Sequence, residues 1–198
     1  MNVQSIYHQS TQYMKEELKI IEMAQNDPQH FGLLYKKYYH QILRYIQQRI
    51  DDAELAYDVT SQVFIKALTH IHRFEYRGVP FSSWLYRIAK SELYQSFRDK
   101  KMELNLNEFH LNMIESNDDN EDEVNQEYKI YLIQSLAALK KHELQLIELR
   151  FFEKKSFKEI GYLLDITENN AKVKTFRSLE KLKTIFKSIS CSSLDLNP

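Results

Sequence analysis

Only three glycines and three prolines punctuate these 198 residues. Those two residue types supply most tight turns, hairpins and bulges, so a chain nearly without them is driven toward long helices with few breaks. A hydrophobic content of 43% is enough to bury a core in one medium domain or in two small ones. The fold class that follows is all-α.

One cysteine, Cys191, lies in a polar C-terminal stretch. No disulfide framework or cysteine-based zinc site can be built within one chain, which suits a reducing cytoplasm. No apolar run approaches the length of a membrane span, and the opening residues MNVQSIYHQSTQYMKEELK lack the basic start and apolar block of a signal peptide. The sequence thus predicts a soluble cytoplasmic protein with no membrane insertion.

The formal charge is −1, but it is unevenly distributed. Glu115, Asp118, Asp119, Glu121, Asp122, Glu123 and Glu127 fall in one stretch with no Lys or Arg, and setting those seven aside leaves 27 basic against 21 acidic residues. A near-neutral total conceals an acidic segment between two mildly basic blocks.

Periodicity gives the organisation. Residues 1–14 are polar and aperiodic and read as a flexible N-terminus. Residues 15–101 form a helical block. A short helix stops at Asn26-Asp27-Pro28, where Asp27 can cap the next and Pro28 fits its first turn. Phe31, Leu34, Tyr35, Tyr38, Ile42, Tyr45, Ile46 and Arg49 then recur at three- and four-residue steps to about Ile50. Asp51 and Glu54 resemble a capping pair that opens a helix over 52–70, with Leu55, Val59, Val63 and Ala67 on one side. After a loop from His72 to Pro80, Ser82 and Ser83 read as a serine cap, with Phe81 stapled against Tyr86, for a helix running to about Lys101. Residues 102–127 are aperiodic and acidic, as expected of a flexible linker. The second block spans 128–187: helices to about Leu139 and over 141–153, a capping box at Ser156 to Glu159 opening a third, and Thr167 capping a last one to about Lys187. Residues 188–198 read as a flexible tail.

Residues 156–183, SFKEIGYLLDITENNAKVKTFRSLEKLK, have the layout of a helix-turn-helix. At 100° per residue, Ala171, Thr175, Ser178, Leu182 and Phe186 share the inner side of the second helix. Asn169, Val173, Phe176 and Arg177 lie opposite, flanked by Lys172 and Lys174. This suits a major groove: Arg177 can read a guanine bidentately, Asn169 an adenine, Val173 or Phe176 a thymine methyl, while the lysines meet phosphates.

A second surface lies on the helix after Pro80. Phe81, Trp84, Leu85 and Ile88 are assigned to the core, and Tyr76, Tyr86 and Tyr94 to the outside, beside Arg87 and Lys90. Arg87, Lys90, Tyr94 and Arg98 share one face. Cations interleaved with rings are what unpaired DNA needs. Three other patterns carry no chemistry. DDNED at 118–122 copies a magnesium-diphosphate spacing inside an aperiodic stretch with no wall to orient a metal. His70 and His72 diverge by about 200° on a helix. No nucleophile-base grouping or phosphate-cradling glycine loop occurs, so the chain reads as a non-enzyme with no cofactor and no metal.

Taken together, FGLLYKKYYHQILRYI, ELAYDVTSQVFIKAL and FSSWLYRIAK, followed by LKKHELQLIELRFFEKKSFKEIGYLLDITENNAKVKTFRSLEKLK, resemble the bacterial RNA polymerase sigma factors, specifically the extracytoplasmic-function (ECF) branch that keeps only regions 2 and 4. The resemblance covers about residues 29–101 and 128–186, and the string F-x-x-W-L-Y-x-I-A-K/R is its most specific part. It implies that region 2 docks on the clamp helices of the largest polymerase subunit through Asp58, Thr60, Ser61, Gln62 and Phe64. It implies capture of the melted minus-ten strand by Tyr76, Arg77, Tyr86, Arg87, Lys90, Ser91 and Tyr94. Region 4 would read the minus-thirty-five duplex through Asn169, Lys172, Val173, Lys174, Phe176 and Arg177. Implied partners are core RNA polymerase, duplex and melted promoter DNA, and an anti-sigma factor, with no homo-oligomer required. The chain departs from the family at Ser61 (usually Gln), Gln62 (usually Glu), Ser91 (usually Asn), Asp165 (usually Gly) and Val173 (often polar). The acidic segment is either a plain tether or a mimic of nascent RNA phosphates. The alternative reading is an autonomous helix-turn-helix regulator with a helical sensing or dimerising N-terminal half, which leaves FSSWLYRIAK without a role.

Overall fold

The structure, a computed structural model, describes residues 11–100 and 123–194, with side chains over 14–98 and 126–191. The expectations for residues 1–10, for most of the acidic segment including DDNED, and for 195–198 lie outside the described residues. Every described element is a helix or a helical turn, as the scarcity of chain breakers requires. The chain divides into two compact units, one holding the first four helices and the other most of the remaining four.

In the first unit, α1 (Thr11–Asn26) leads through a 3-10 turn (Pro28–His30) into α2 (Phe31–Gln47), then α3 (Ala53–His70), a second 3-10 turn (Ile71–Arg73) and α4 (Phe81–Lys100). Asp27 opens the first turn by accepting the Gln29 N–H at 3.0 Å, with Pro28 where its missing N–H costs nothing. The cap of α3 is Asp52, whose Oδ1 accepts from Leu55 N at 3.0 Å, one residue later than the sequence suggests. Leu34, Ile42 and Ile46 of α2, Val63 and Ala67 of α3, and Phe81, Leu85 and Ala89 of α4 are essentially without solvent contact. Packed this way, α3 lies against both α2 and α4.

The start of α4 differs from expectation. Ser82 and Ser83 are buried inside the first turn, and the Phe81 N–H is taken by Glu17 Oε2 of α1 at 2.9 Å. Nor does Phe81 staple against Tyr86: five residues on a helix turn the second side chain about 140° away from the first. Instead the Phe81 ring meets Phe74 at 5.2 Å and Trp84 at 5.3 Å, and Tyr86 meets Tyr45 edge-on at 4.6 Å.

The second unit holds α5 (Glu123–Ala137), α6 (Lys141–Ile147), a π-helical turn (Glu148–Phe152), α7 (Phe157–Leu164) and α8 (Glu168–Leu194). Its core joins Leu136, Leu139, Leu144, Ile147 and Leu182. α5 begins five residues before the expected 128, so Glu123 and Glu127 belong to a helix, and α8 continues past Lys187, so residues 188–194 are helical. The expected helix over 141–153 is broken by the π-helical turn, after which Lys154 adopts φ 53°. Behind it the Lys155 ammonium is buried 3.9 Å from Glu159 Oε1, and burial pulls its pKa below the ordinary lysine range against the pull of Glu159 and Glu153.

Candidate nucleic-acid interface

Both predicted caps of the helix-turn-helix are present. Ser156 N donates to Glu159 Oε2 at 2.9 Å while Glu159 N donates to Ser156 Oγ at 3.2 Å, a reciprocal capping box for α7. Thr167 Oγ1 accepts from Asn170 N at 3.2 Å and opens α8. Between them Asp165 holds φ 53°, left-handed geometry that Asp enters more readily than most residues. The tightness of the turn rests on Gly161, whose N-terminal helix passes so close to the turn that a Cβ would stand 2.8 Å from the Ile166 carbonyl oxygen. In the sequence the only local sign of this constraint is a lone glycine inside an apolar helical run just before a capped turn.

Along α8, Ala171, Thr175, Ser178 and Leu182 are buried, and Phe186 is half-buried against Tyr128 and Tyr131. Asn169, Lys172, Val173, Lys174, Phe176 and Arg177 are all exposed. Phe157 of α7 lies 5.9 Å from the Phe176 ring and is itself covered by the Arg150 guanidinium at 4.2 Å.

On the first unit the loop after the second 3-10 turn exposes Tyr76 and Arg77, with Gly78 at φ 72° turning the chain between them and Pro80. On α4, Tyr94 is 54% exposed and Ser91 is exposed, while Arg87 and Lys90 are half-buried. Tyr86 is the exception. At 1% exposure it is a core residue, its hydroxyl 3.3 Å from Gln41 Nε2, and it cannot meet DNA. The reason lies in the period: Tyr86, Ala89, Leu93 and Phe97 follow one another at three- and four-residue steps, and all are buried. Trp84 packs edge-on against Phe74 at 5.4 Å yet keeps part of its indole in solvent, as Ile88 does its side chain, so neither is full core.

On α3, Asp58, Ser61 and Gln62 are exposed, whereas Thr60 and Phe64 are not available for docking. Thr60 is fully buried with its hydroxyl donating to the Ala56 carbonyl at 2.7 Å, and Phe64 packs edge-on against Tyr35 at 4.9 Å. What the face offers instead is Tyr57 at 48% exposure and Ile65 at 54%, with Leu68 next along the helix. In the sequence this face is marked by large apolar groups outside the Leu55–Val59–Val63–Ala67 stripe. Beside them Tyr39 has its phenol pKa pushed up, first by burial and then by Tyr35 and Tyr57.

The chain matches the family descriptions Sigma-70 region 2 over residues 34–102 and Sigma-70, region 4 over residues 135–184. It is 27% identical over 170 residues to the ECF RNA polymerase sigma factor BldN of Streptomyces coelicolor, covering 83% of this chain and 64% of BldN. With the ECF RNA polymerase sigma factor SigM of Bacillus subtilis it shares 23% identity over 153 residues, 77% of this chain and 93% of SigM. Among solved structures, CnrH in complex with the cytosolic domain of CnrY superposes with a TM-score of 0.59 at 16% identity, over 87% of this chain and 97% of that one. The sigma factor RpoE of Bartonella quintana, in complex with the anti-sigma factor NepR, gives 0.53 at 15% identity, over 79% and 96%. Both structural likenesses speak to the fold.

Proposed function

This chain belongs to the sigma-70 family, of which it carries regions 2 and 4, and from that premise we propose that it binds core RNA polymerase and directs promoter recognition, strand opening and transcription initiation at a specific gene set. The observation that carries the proposal is the outer stripe of α3. Tyr57, Ile65 and Leu68 stand exposed around Asp58, Ser61 and Gln62. Large apolar groups ringed by polar ones mark a protein-binding patch. Core docking therefore runs through Tyr57, Asp58, Ser61, Gln62 and Ile65, with Thr60 and Phe64 holding the stripe in place from behind.

Strand opening needs no catalytic residue. A base stacked on an aromatic ring is worth roughly 1–3 kcal/mol, and opening a DNA step costs about 1.4 kcal/mol on average. A few captured bases thus shift the equilibrium from closed to open, because only the open state offers them. Tyr76 and Tyr94 supply the rings, and Arg77, Arg87 and Lys90 the cations for the backbone, with Ser91 donating beside them. The outer face of α8 reads the minus-thirty-five duplex, Arg177 and Asn169 at base edges and Lys172 and Lys174 at phosphates. Such work is done in the cytoplasm, and a restraining anti-sigma factor fits the partners named for RpoE.

The deciding experiment incubates the purified chain with core polymerase on a pool of genomic fragments and maps transcript starts. New starts sharing a two-part promoter are expected; absence of both core binding and new starts would reject the proposal.

A further inference from the structure

Within the loop over residues 74–80 an exposed Arg77–Glu75 ion pair spans 3.6 Å, Phe74 packs on the Phe81 and Trp84 rings, and Val79 and Pro80 are buried. The loop's own backbone bonds are at its edges, Phe74 N to Ile71 O at 3.0 Å and Ser83 N to Pro80 O at 2.9 Å. Its ends are also tied by side chains of α1. At the entrance, Gln25 Nε2 donates to two carbonyls, Ile71 O at 3.0 Å and Phe74 O at 3.1 Å. At the exit, Glu17 Oε2 accepts the Phe81 N–H at 2.9 Å. The other Glu17 oxygen receives Lys37 Nζ at 2.7 Å and the Tyr38 hydroxyl, so this buried carboxylate has both oxygens occupied. Eight residues separate Glu17 from Gln25, which on a helix is a rise of about 12 Å with the two side chains about 80° apart in azimuth. A single rigid element thereby fixes both ends of the loop. Its middle, Tyr76 and Arg77, is left open to solvent, with the Tyr76 hydroxyl 3.8 Å from Met14 Sδ of α1.

We propose that Glu17 and Gln25 are positioning residues for melted-strand capture: α1 is a brace that holds the loop carrying Tyr76 and Arg77 in its receiving shape before DNA arrives. α1 lies before residue 34, outside the stretch matched to region 2, and nothing in that match assigns it a role. A loop ordered in advance loses less conformational freedom on binding, so affinity is gained without a new contact. The same bonds leave the α3 stripe and the α8 face untouched. The brace should thus affect one of the three interactions and spare the other two. Gln25 is the cleaner probe because it acts through its donor alone: Gln25→Glu keeps the size and loses the donor, and Gln25→Lys keeps a donor at similar reach.

The inference rests on the reading of the loop as a base-capturing element, and the experiment separates the two. Holoenzyme is assembled from full-length chain and core polymerase. Its affinity is measured for a single-stranded oligonucleotide carrying the non-template minus-ten segment of a promoter located by transcript mapping. Core affinity and minus-thirty-five duplex affinity are measured alongside. Gln25→Glu and Gln25→Met should weaken the oligonucleotide about tenfold and leave the other two affinities unchanged, whereas Gln25→Lys should recover most of the loss. If Tyr76→Ala weakens the oligonucleotide but neither Gln25→Glu nor Gln25→Met does, the brace is refuted while the loop reading stands. If Tyr76→Ala changes nothing, the loop reading itself is wrong. If Gln25→Glu lowers all three affinities in proportion, the residue is merely structural and the positioning role is refuted.

Discussion

Two tyrosines on α4, eight residues apart, make opposite contributions. Tyr86 is 1% exposed with its ring against Tyr45, whereas Tyr94 is 54% exposed. Truncating Tyr86 to Ala should cost about 3–5 kcal/mol of unfolding free energy, as for other large aromatics, and Tyr86→Phe only about 1 kcal/mol for the lost hydroxyl contact. Tyr94→Ala should leave stability within about 0.5 kcal/mol while weakening melted-strand binding by roughly 1–3 kcal/mol. Urea unfolding and oligonucleotide titration of the same variants test both halves of the contrast. Gly161 sets a second prediction at this scale. A Cβ there would press on backbone at 2.8 Å and 3.2 Å, the Ile166 oxygen and the Glu168 nitrogen, which cannot rotate away as a side chain would. Gly161→Ala should therefore cost about 1–3 kcal/mol and lower duplex affinity, read by urea midpoint and by band shift on the minus-thirty-five duplex. Neither residue was legible alone. Tyr86 falls among cations and tyrosines that pull the eye to the surface, and the constraint on Gly161 exists only once the chain has turned back on it.

Helix ends separate what local sequence decides from what the fold decides. Ser156 with Glu159, and Thr167, cap as their spacing predicts, because each bond closes within three residues, whereas Asp27 caps the 3-10 turn and α2 itself begins after His30 without a side-chain cap. Nor does the N-terminus of α4 cap as its spacing predicts, since its partner Glu17 lies 64 positions away and only tertiary packing brings it there. The far end of α8 lies beyond the expected Lys187 for another reason. Its last turns are rich in serine, yet hydroxyls such as Thr184 and Ser190 bond back to the carbonyls of Glu180 and Lys187, and no glycine or proline stops the helix before Leu194. Between elements, Glu143 of α6 accepts from Lys181 Nζ of α8 at 2.7 Å. That bond is the main cause holding the Glu143 carboxyl below its ordinary range, with the Lys140 N–H helping and burial opposing. A carboxyl whose folded pKa is depressed contributes stability that is fully present above its unfolded pKa and is lost as the pH falls through the folded value. Acidification through and below the ordinary glutamate range should thus loosen α6 from α8, and Glu143→Gln should flatten that part of the profile. Urea midpoints at neutral pH and at about pH 3, compared for the two proteins, provide the check; equal slopes would dismiss the tie.

For the whole chain the question is whether it finds promoters by itself. The sequence already shows why it should not: 27 basic and 28 acidic residues leave almost no net attraction for a polyanion, and the basic excess is divided between two blocks. Each exposed face is small: on the proposed reading α8 would offer six side chains to a duplex, and the loop with α4 would offer its rings only to a strand already opened. Joined to one polymerase, the second contact becomes effectively intramolecular, and two weak surfaces gain specificity without any new contact. The free chain should accordingly bind a mapped promoter duplex no better than the micromolar range typical of non-specific association, about 1–100 μM at physiological salt. It should show no preference for symmetric sites, because nothing in the proposal requires two copies. Adding core polymerase should tighten binding by at least about a thousandfold, the usual interval between non-specific and specific complexes. Fluorescence anisotropy of the labelled duplex, with and without core and at several salt concentrations, reads this directly. Nanomolar binding of the free chain to a palindromic site would favour an autonomous helix-turn-helix regulator, and the exposed stripe of α3 would then need a different partner.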